Sequence, residues 1–175
     1  QDYNVENIVA AIISSLLIGI PNDQIRSSIR DVYVPGRLQV YHWKDRTFMI
    51  DYAHNYISMY RLYEMVKKTM KPKSITVVFG CGGERYKKRR EDMGRLAEQY
   101  ADKVVLTMED PGFESCEEIC KEIKQYITKP SYIIVDREQA LTRALDEAQP
   151  GELVITTGKG IESTQRINGT FVQCH

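Results

Sequence analysis

A mainly parallel, Rossmann-like α/β sheet with helices on both faces, preceded by a short helical tail, is the fold class this sequence predicts. Three observations carry it. Beyond residue 46, five strand patterns alternate with four helix patterns. The strand patterns are continuous apolar, β-branched runs, as expected where both faces of a sheet are buried. Each run ends in a polar loop, where an open parallel sheet places its ligands.

Taken in order, Val5, Ile8, Val9, Ile12, Ile13 and Leu16 repeat at the spacing of one helical face, and Gly19 with Pro21 ends that helix. The apolar stretch Ile8 to Ile20 is read as a buried helix. A second short helix around Ile25 and Ile29 runs to the Val34-Pro35-Gly36 turn, the one boundary signal, which divides the chain into 1–34 and 35–175. Leu38 to Tyr41 reads as an edge strand. Then come strand Thr47 to Ile50, helix Ser58 to Met70, strand Ile75 to Phe79, helix Arg89 to Tyr100 and strand Lys103 to Leu106. Helix Ser115 to Ile127, strand Tyr132 to Val135, helix Glu138 to Ala148 and strand Leu153 to Thr156 complete the series. Met59, Leu62, Tyr63, Val66 and Met70 form one apolar stripe, and Met93, Leu96, Ala97 and Tyr100 another. Ser115 with Glu118 has the pattern of a capping box, and Asn55 that of a helix cap.

With 175 residues, the chain has room for one ordinary domain and a short piece of a neighbour. Lys+Arg and Asp+Glu both number 24, so no global field draws it to nucleic acid or to an anionic membrane. The run Lys87 to Arg90 reads as a solvated helix start or an anion patch, with no nucleic-acid role. Cys81, Cys116, Cys120 and Cys174 have neither zinc-ligand spacing nor the density of a disulfide scaffold, which points to a reduced, cytoplasmic setting. A start at Gln1 and an end at His175, just past an apolar pair, suggest a piece of a longer protein.

The residues that follow the strands are Asp51, Gly80-Cys81-Gly82-Gly83-Glu84-Arg85, Glu109-Asp110, Asp136-Arg137 and Gly158-Lys159-Gly160. Any one such loop is explained by turn and cap chemistry. Five on one rim point to a site, and Arg85 with Glu162 would suit a zwitterion if their strands are neighbours. A dinucleotide fingerprint fails at Arg85, where its third glycine would fall, and no Gly-x-x-x-x-Gly-Lys-Ser/Thr phosphate loop occurs.

The ordered set Asn4-Val5-Glu6-Asn7, Pro35-Gly36-Arg37-Leu38, Asp51-Tyr52-Ala53-His54-Asn55, Gly80 to Gly94, Thr107 to Pro111, Asp136-Arg137 and Gly158 to Glu162 resembles the Mur ligase family. In particular it is similar to the carboxyl-terminal domain of the muramoyl-tripeptide-forming branch, with residues 1–34 matching the helical end of the central ATPase domain. The resemblance implies an ATP- and Mg-dependent ligase that joins an amino acid to a UDP-N-acetylmuramoyl-peptide in peptidoglycan synthesis through an acyl phosphate. The phosphate loop and most magnesium ligands would lie in the family's upstream region, so this chain alone is expected to be inactive. The resemblance also assigns Asn7, Arg37, Asp51 and His54 to the nucleotide, and Arg85, Gly158 and Glu162 to the amino acid, where Glu109 and Asp110 join them as carboxylates of the same rim. A monomer without nucleic-acid or membrane partners is expected.

Some residues depart from the family. Diaminopimelate-adding members have Asp-Asn-Pro-Arg where this chain has Glu109-Asp110-Pro111-Gly112, the family's last-motif His is Ile161, and its Lys-Gly-Lys-Arg-Pro stretch reads Lys87 to Glu91. Without that Arg, and with Glu109, Asp110 and Glu162 gathered on the rim, lysine or ornithine is expected to be preferred to diaminopimelate. A folylpolyglutamate synthetase-like ligase and a non-catalytic ligase-derived binding domain are the alternatives.

Overall fold

The computed structural model describes residues 5–30 and 32–174, so Asn4 of the first motif lies outside the described residues. The chain divides into two compact units, Gln1–Val34 and Pro35–His175. The first contains helices α1 (Val5–Leu17) and α2 (Asn22–Arg30). The expectation of a buried first helix is corrected. No residue of α1 is buried, and Val5, Ile8, Val9 and Ile13 are all exposed; only Ile25 of α2 is buried. Two helices of 13 and nine residues are too small to enclose an apolar face of their own.

The second unit is built on a six-stranded sheet. In chain order it runs β1 (Gln39–Trp43), β2 (Arg46–Ile50), α3 (Tyr56–Met65), β3 (Ser74–Phe79), α4 (Lys88–Tyr100), β4 (Lys103–Leu106), α5 (Cys116–Lys124), β5 (Ser131–Ile133), α6 (Arg137–Glu147) and β6 (Glu152–Thr156). The spatial order is β1-β2-β6-β3-β4-β5. Only the edge strand β1 is antiparallel; β2, β6, β3, β4 and β5 pair in parallel. The last strand of this sheet in sequence, β6, therefore sits inside it, with Thr156 beside Val78 and Ile50. The loops after β6 and β3 become neighbours, as a zwitterion site there requires.

Alternate strand residues face opposite layers. Val77, Phe79, Val104, Leu106, Leu153 and Ile155 pack with Met59, Leu62, Tyr63, Met93, Leu96, Ile119 and Ile123 of α3, α4 and α5. Val78, Val105 and Val154 pack on the other side against Ala140 and Ala144 of α6, whose small residues bring that helix close to the sheet. Full burial of one Leu, Ile or Met contributes about 1.5–3 kcal/mol, so both predicted stripes anchor their helices firmly. The helix after β2 starts at Tyr56, two residues before the predicted Ser58. Asn55 caps it by accepting from the Ser58 N–H at 3.0 Å, while the Ser58 hydroxyl accepts from the Asn55 N–H at 3.2 Å. Its end, Val66–Met70, is a π-helical turn closed by Lys71 in left-handed geometry.

Sequence reading missed a hairpin, β7 (Thr164–Ile167) and β8 (Thr170–Gln173). Its two-residue turn is Asn168-Gly169, both at positive φ (49° and 75°). An Asn-Gly pair between residues of strand-forming type is the strongest short hairpin signal, and it was available in the sequence.

Candidate functional site

The site is built by loops resting on one another at the carboxyl ends of β6, β3 and β4. Their glycines are required by close approach. A Cβ on Gly80 would lie 2.2 Å from the Thr107 carbonyl oxygen, and one on Gly83 would lie 1.8 Å from that of Pro111. The Gly83 N–H donates to Asp110 O at 3.0 Å. These glycines thus serve loop-on-loop packing, in keeping with the absent dinucleotide fingerprint. The result is a cleft of about 500 Å³ lined by Tyr52, His54, Arg85, Arg89, Glu109, Asp110, Gly158, Glu162 and Arg166, among others.

Of the residues expected to bind the amino acid, Arg85, Glu109, Asp110, Gly158 and Glu162 come together here. Their partners could not be read from sequence. Glu109 is buried and paired with Arg89 at 2.6 Å. Its other oxygen, Oε2, has no partner among the described residues. It sits 2.1 Å from where a Gly158 Cβ would be, so Gly158 (φ 97°) makes room for it. Burial pushes the Glu109 carboxyl up, opposed by the positive charge of Arg89 and Arg137 and by His54.

Lys159 is almost wholly buried and bridges Asp110 (2.9 Å) and Glu162 (2.6 Å). Burial pulls its ammonium down, but hydrogen bonds and attraction from Glu162 and Asp110 outweigh this and hold it above the ordinary lysine range. Glu162 also accepts from the Tyr52 hydroxyl. Burial would raise its carboxyl, but Lys159 and Tyr52 hold it below the usual range. Asp110 additionally accepts from the Arg166 N–H at 2.8 Å. The premise behind the lysine or ornithine expectation is therefore corrected: the three carboxylates are each paired with an internal cation. Arg85 is the exposed cation of the cleft that makes no ion pair or hydrogen bond among the described residues.

The basic run Lys87 to Arg90 is likewise not wholly solvated. Arg90 is 3% exposed and bonds Glu114 (2.8 Å) and Glu122 (2.7 Å), while Arg89 holds Glu109. The predicted Asp136 is a helix cap, accepting from the Gln139 N–H at 2.9 Å. Arg137 ties strand ends together through Thr156 Oγ1 (2.9 Å) and Thr157 O (2.7 Å).

The residues expected on the nucleotide side divide. Asp51 is buried and closes its own loop, accepting from the Leu38 N–H at 2.9 Å and the Ala53 N–H at 2.8 Å. Burial raises its carboxyl and these two backbone bonds oppose that. Arg37 is exposed and lies 4.3 Å above the Tyr52 ring. His54 Nδ1 is 2.9 Å from Tyr52 O, a contact that needs the proton on Nδ1 and leaves Nε2 open. Asn7 lies on α1 in the first unit, apart from this description. Among the described residues no group of three or more His, Cys, Asp or Glu is placed to hold a metal ion. Among the described residues no helix is long and apolar enough to cross a membrane, and all four cysteines are free thiols.

A family model described as Mur ligase, glutamate ligase domain, matches residues 36–160. The chain is 37% identical over 98% of its length to a UDP-N-acetylmuramyl-tripeptide synthetase of Limosilactobacillus reuteri, covering 34% of that protein. It is 38% identical over 96% of its length to a UDP-N-acetylmuramoyl-L-alanyl-D-glutamate–2,6-diaminopimelate ligase of Aquifex aeolicus, covering 35%. A solved structure of a ligase of the latter type superposes with a TM-score of 0.74 at 32% identity, over 99% of this chain and 36% of that one. E. coli FolC in complex with ADP gives 0.71 over 87% of this chain and 36% of that one, but at 18% identity the likeness is one of fold. The chain spans about a third of the length of the curated relatives it matches.

Proposed function

This chain belongs to the Mur ligase family, and we propose that it supplies the amino-acid site and one wall of the ATP cleft of a ligase that extends a UDP-N-acetylmuramoyl-peptide in peptidoglycan synthesis. Residues 1–34 are the end of the central domain in this reading and residues 35–175 the carboxyl-terminal domain. The whole protein works as a cytoplasmic monomer on soluble substrates. The observation that carries the reading is Arg85, an unpaired guanidinium in a cleft whose carboxylates already have internal partners. An α-carboxylate fits that fork as a charge-assisted bidentate partner. Glu109 Oε2, buried without a partner beside Gly158, is an acceptor for the ammonium, and Glu162 stands on the same rim.

Toward ATP, the exposed Arg37 and the open Nε2 of His54 fit ribose or phosphate oxygens. Asp51 fits an indirect part better, holding the loop that carries Arg37. Bound there, ATP would supply the γ-phosphoryl group that activates the substrate carboxylate, with ADP as the leaving group. The chain's part is to hold the incoming amine in place. The described donor set does not fit magnesium by itself, and no step is assigned to the ion.

The test incubates the full-length protein with ATP, magnesium, UDP-N-acetylmuramoyl-L-alanyl-D-glutamate and an amino acid. One phosphate released per amide bond formed is expected, together with no phosphate above background from this chain alone. Turnover by the chain alone, or none by the full-length protein, would refute the proposal.

A further inference from the structure

One ion pair, of which Arg166 lines the cleft, has no part in the proposed function. Arg166, on the overlooked strand β7, contacts Glu84 through Nη2 at 2.5 Å, and both side chains remain more than a third exposed. The backbone holds both in place. Arg166 O accepts from the Gly112 N–H at 2.9 Å, the Asn168 N–H donates to Gly112 O at 2.7 Å, and Asp110 holds the Arg166 N–H. Glu84 has a positive φ of 55°, and its N–H is bound by the Glu114 carboxylate. The pair fills the space beside Gly112, where a Cβ would lie 2.9 Å from Arg166 Nη2 and 2.4 Å from Glu84 Oε2.

The cleft therefore offers three guanidinium groups with different companions: Arg85 alone, Arg89 bound to the buried Glu109, and Arg166 with the half-exposed Glu84 at its side. An amino acid that places its α-carboxylate on Arg85 shares the cleft with Arg166 and, through it, with Glu84. A far end carrying both an ammonium and a carboxylate exchanges partners with that pair one for one. A lone ammonium gains Glu84 but must lie against Arg166, and like charge at that distance opposes it. We propose that Arg166 and Glu84 are specificity-determining residues that select an amino acid whose side chain itself ends in an ammonium and a carboxylate, of the 2,6-diaminopimelate kind. The inference rests on the ligase reading above and reverses the preference expected from the sequence.

The experiment gives the full-length protein equal concentrations of meso-diaminopimelate, L-lysine and L-ornithine with ATP and the muramoyl dipeptide, and identifies products by mass. Diaminopimelate product is expected in roughly tenfold excess or more. Arg166→Gln should lower the diaminopimelate-over-lysine ratio of kcat/KM by about tenfold, mainly through the diaminopimelate KM, and Arg166→Lys by less, because charge survives while the fork is lost. If Arg166→Gln does not fold, the Lys variant decides, with a drop of roughly threefold expected. A native preference for lysine or ornithine, or an unchanged ratio in the folded variants, overturns the inference and leaves the ligase reading standing. Absence of any ligated product from the native protein overturns both.

Discussion

Replacing Gly158 by Ala tests how the cleft is assembled, because the new methyl would sit 2.1 Å from Glu109 Oε2 and 2.6 Å from its Cδ. Ordinary contact is about 3.5 Å, so the carboxylate must move by roughly 1 Å or more. It has nowhere easy to go, being 7% exposed and held by Arg89 at 2.6 Å. Two costs add. Left-handed backbone at φ 97° strains an L-residue by roughly 1–2 kcal/mol, and loosening a charge-assisted bond in a buried setting costs about 1.5–3 kcal/mol. A loss of about 2.5–5 kcal/mol should lower the melting temperature by roughly 5–20 °C in a chain of this size. Urea unfolding of the native chain, Gly158→Ala, Glu109→Ala and the double variant separates the terms. If displacement of Glu109 is the larger part, the double variant should be less destabilised than the two singles combined, with a coupling of about 1 kcal/mol or more. A Gly158→Ala loss below about 1 kcal/mol, or strictly additive variants, would refute this account of the glycine.

Three further outcomes are expected. Glu114 is held below the usual carboxylate range by the Glu84 N–H and by the buried Arg90, so its contribution is present above about pH 4.3 and lost as pH falls through its lower folded value. Glu114→Gln should cost about 1–2 kcal/mol at pH 7, allowing for its partial exposure, and flatten the acid limb of stability against pH; an unchanged limb removes Glu114 from the explanation. Asp51→Ala strands the Leu38 and Ala53 N–H groups and should cost about 2–4 kcal/mol and, in the full-length enzyme, raise the KM for ATP; loss of stability with an unaltered KM would make Asp51 purely structural. Burial pushes the Cys81 thiol up to about 12, so a thiol reagent on the native chain should label Cys174 well before Cys81, and early Cys81 labelling would show that the glycine loop opens.

Much of the fold was legible because apolar period and loop chemistry agree in this chain. The stripes of α3 and α4, the caps at Asn55 and Ser115, and the polar rim all depend on residues near one another in sequence, and the structure contains them. What escaped depends on distant partners. Glu109, Asp110 and Glu162 look like three free carboxylates until β6 is placed between β2 and β3, which brings Lys159 between two of them. Arg166 lies on a short strand whose one local signal is the Asn168-Gly169 turn, and its partners Asp110 and Glu84 are far away in sequence. The first helix misled for the opposite reason: an apolar face states a need for cover without saying where the cover lies.

The central claim, that the rim of this sheet receives an amino acid by its carboxylate at Arg85, is tested most directly by steady-state kinetics of the full-length Arg85→Ala enzyme. A charge-assisted bidentate contact contributes on the order of 1.5–3 kcal/mol, so the amino-acid KM should rise about tenfold to a hundredfold while that of ATP stays within about twofold. An amino-acid KM equal to the native value would contradict the claim.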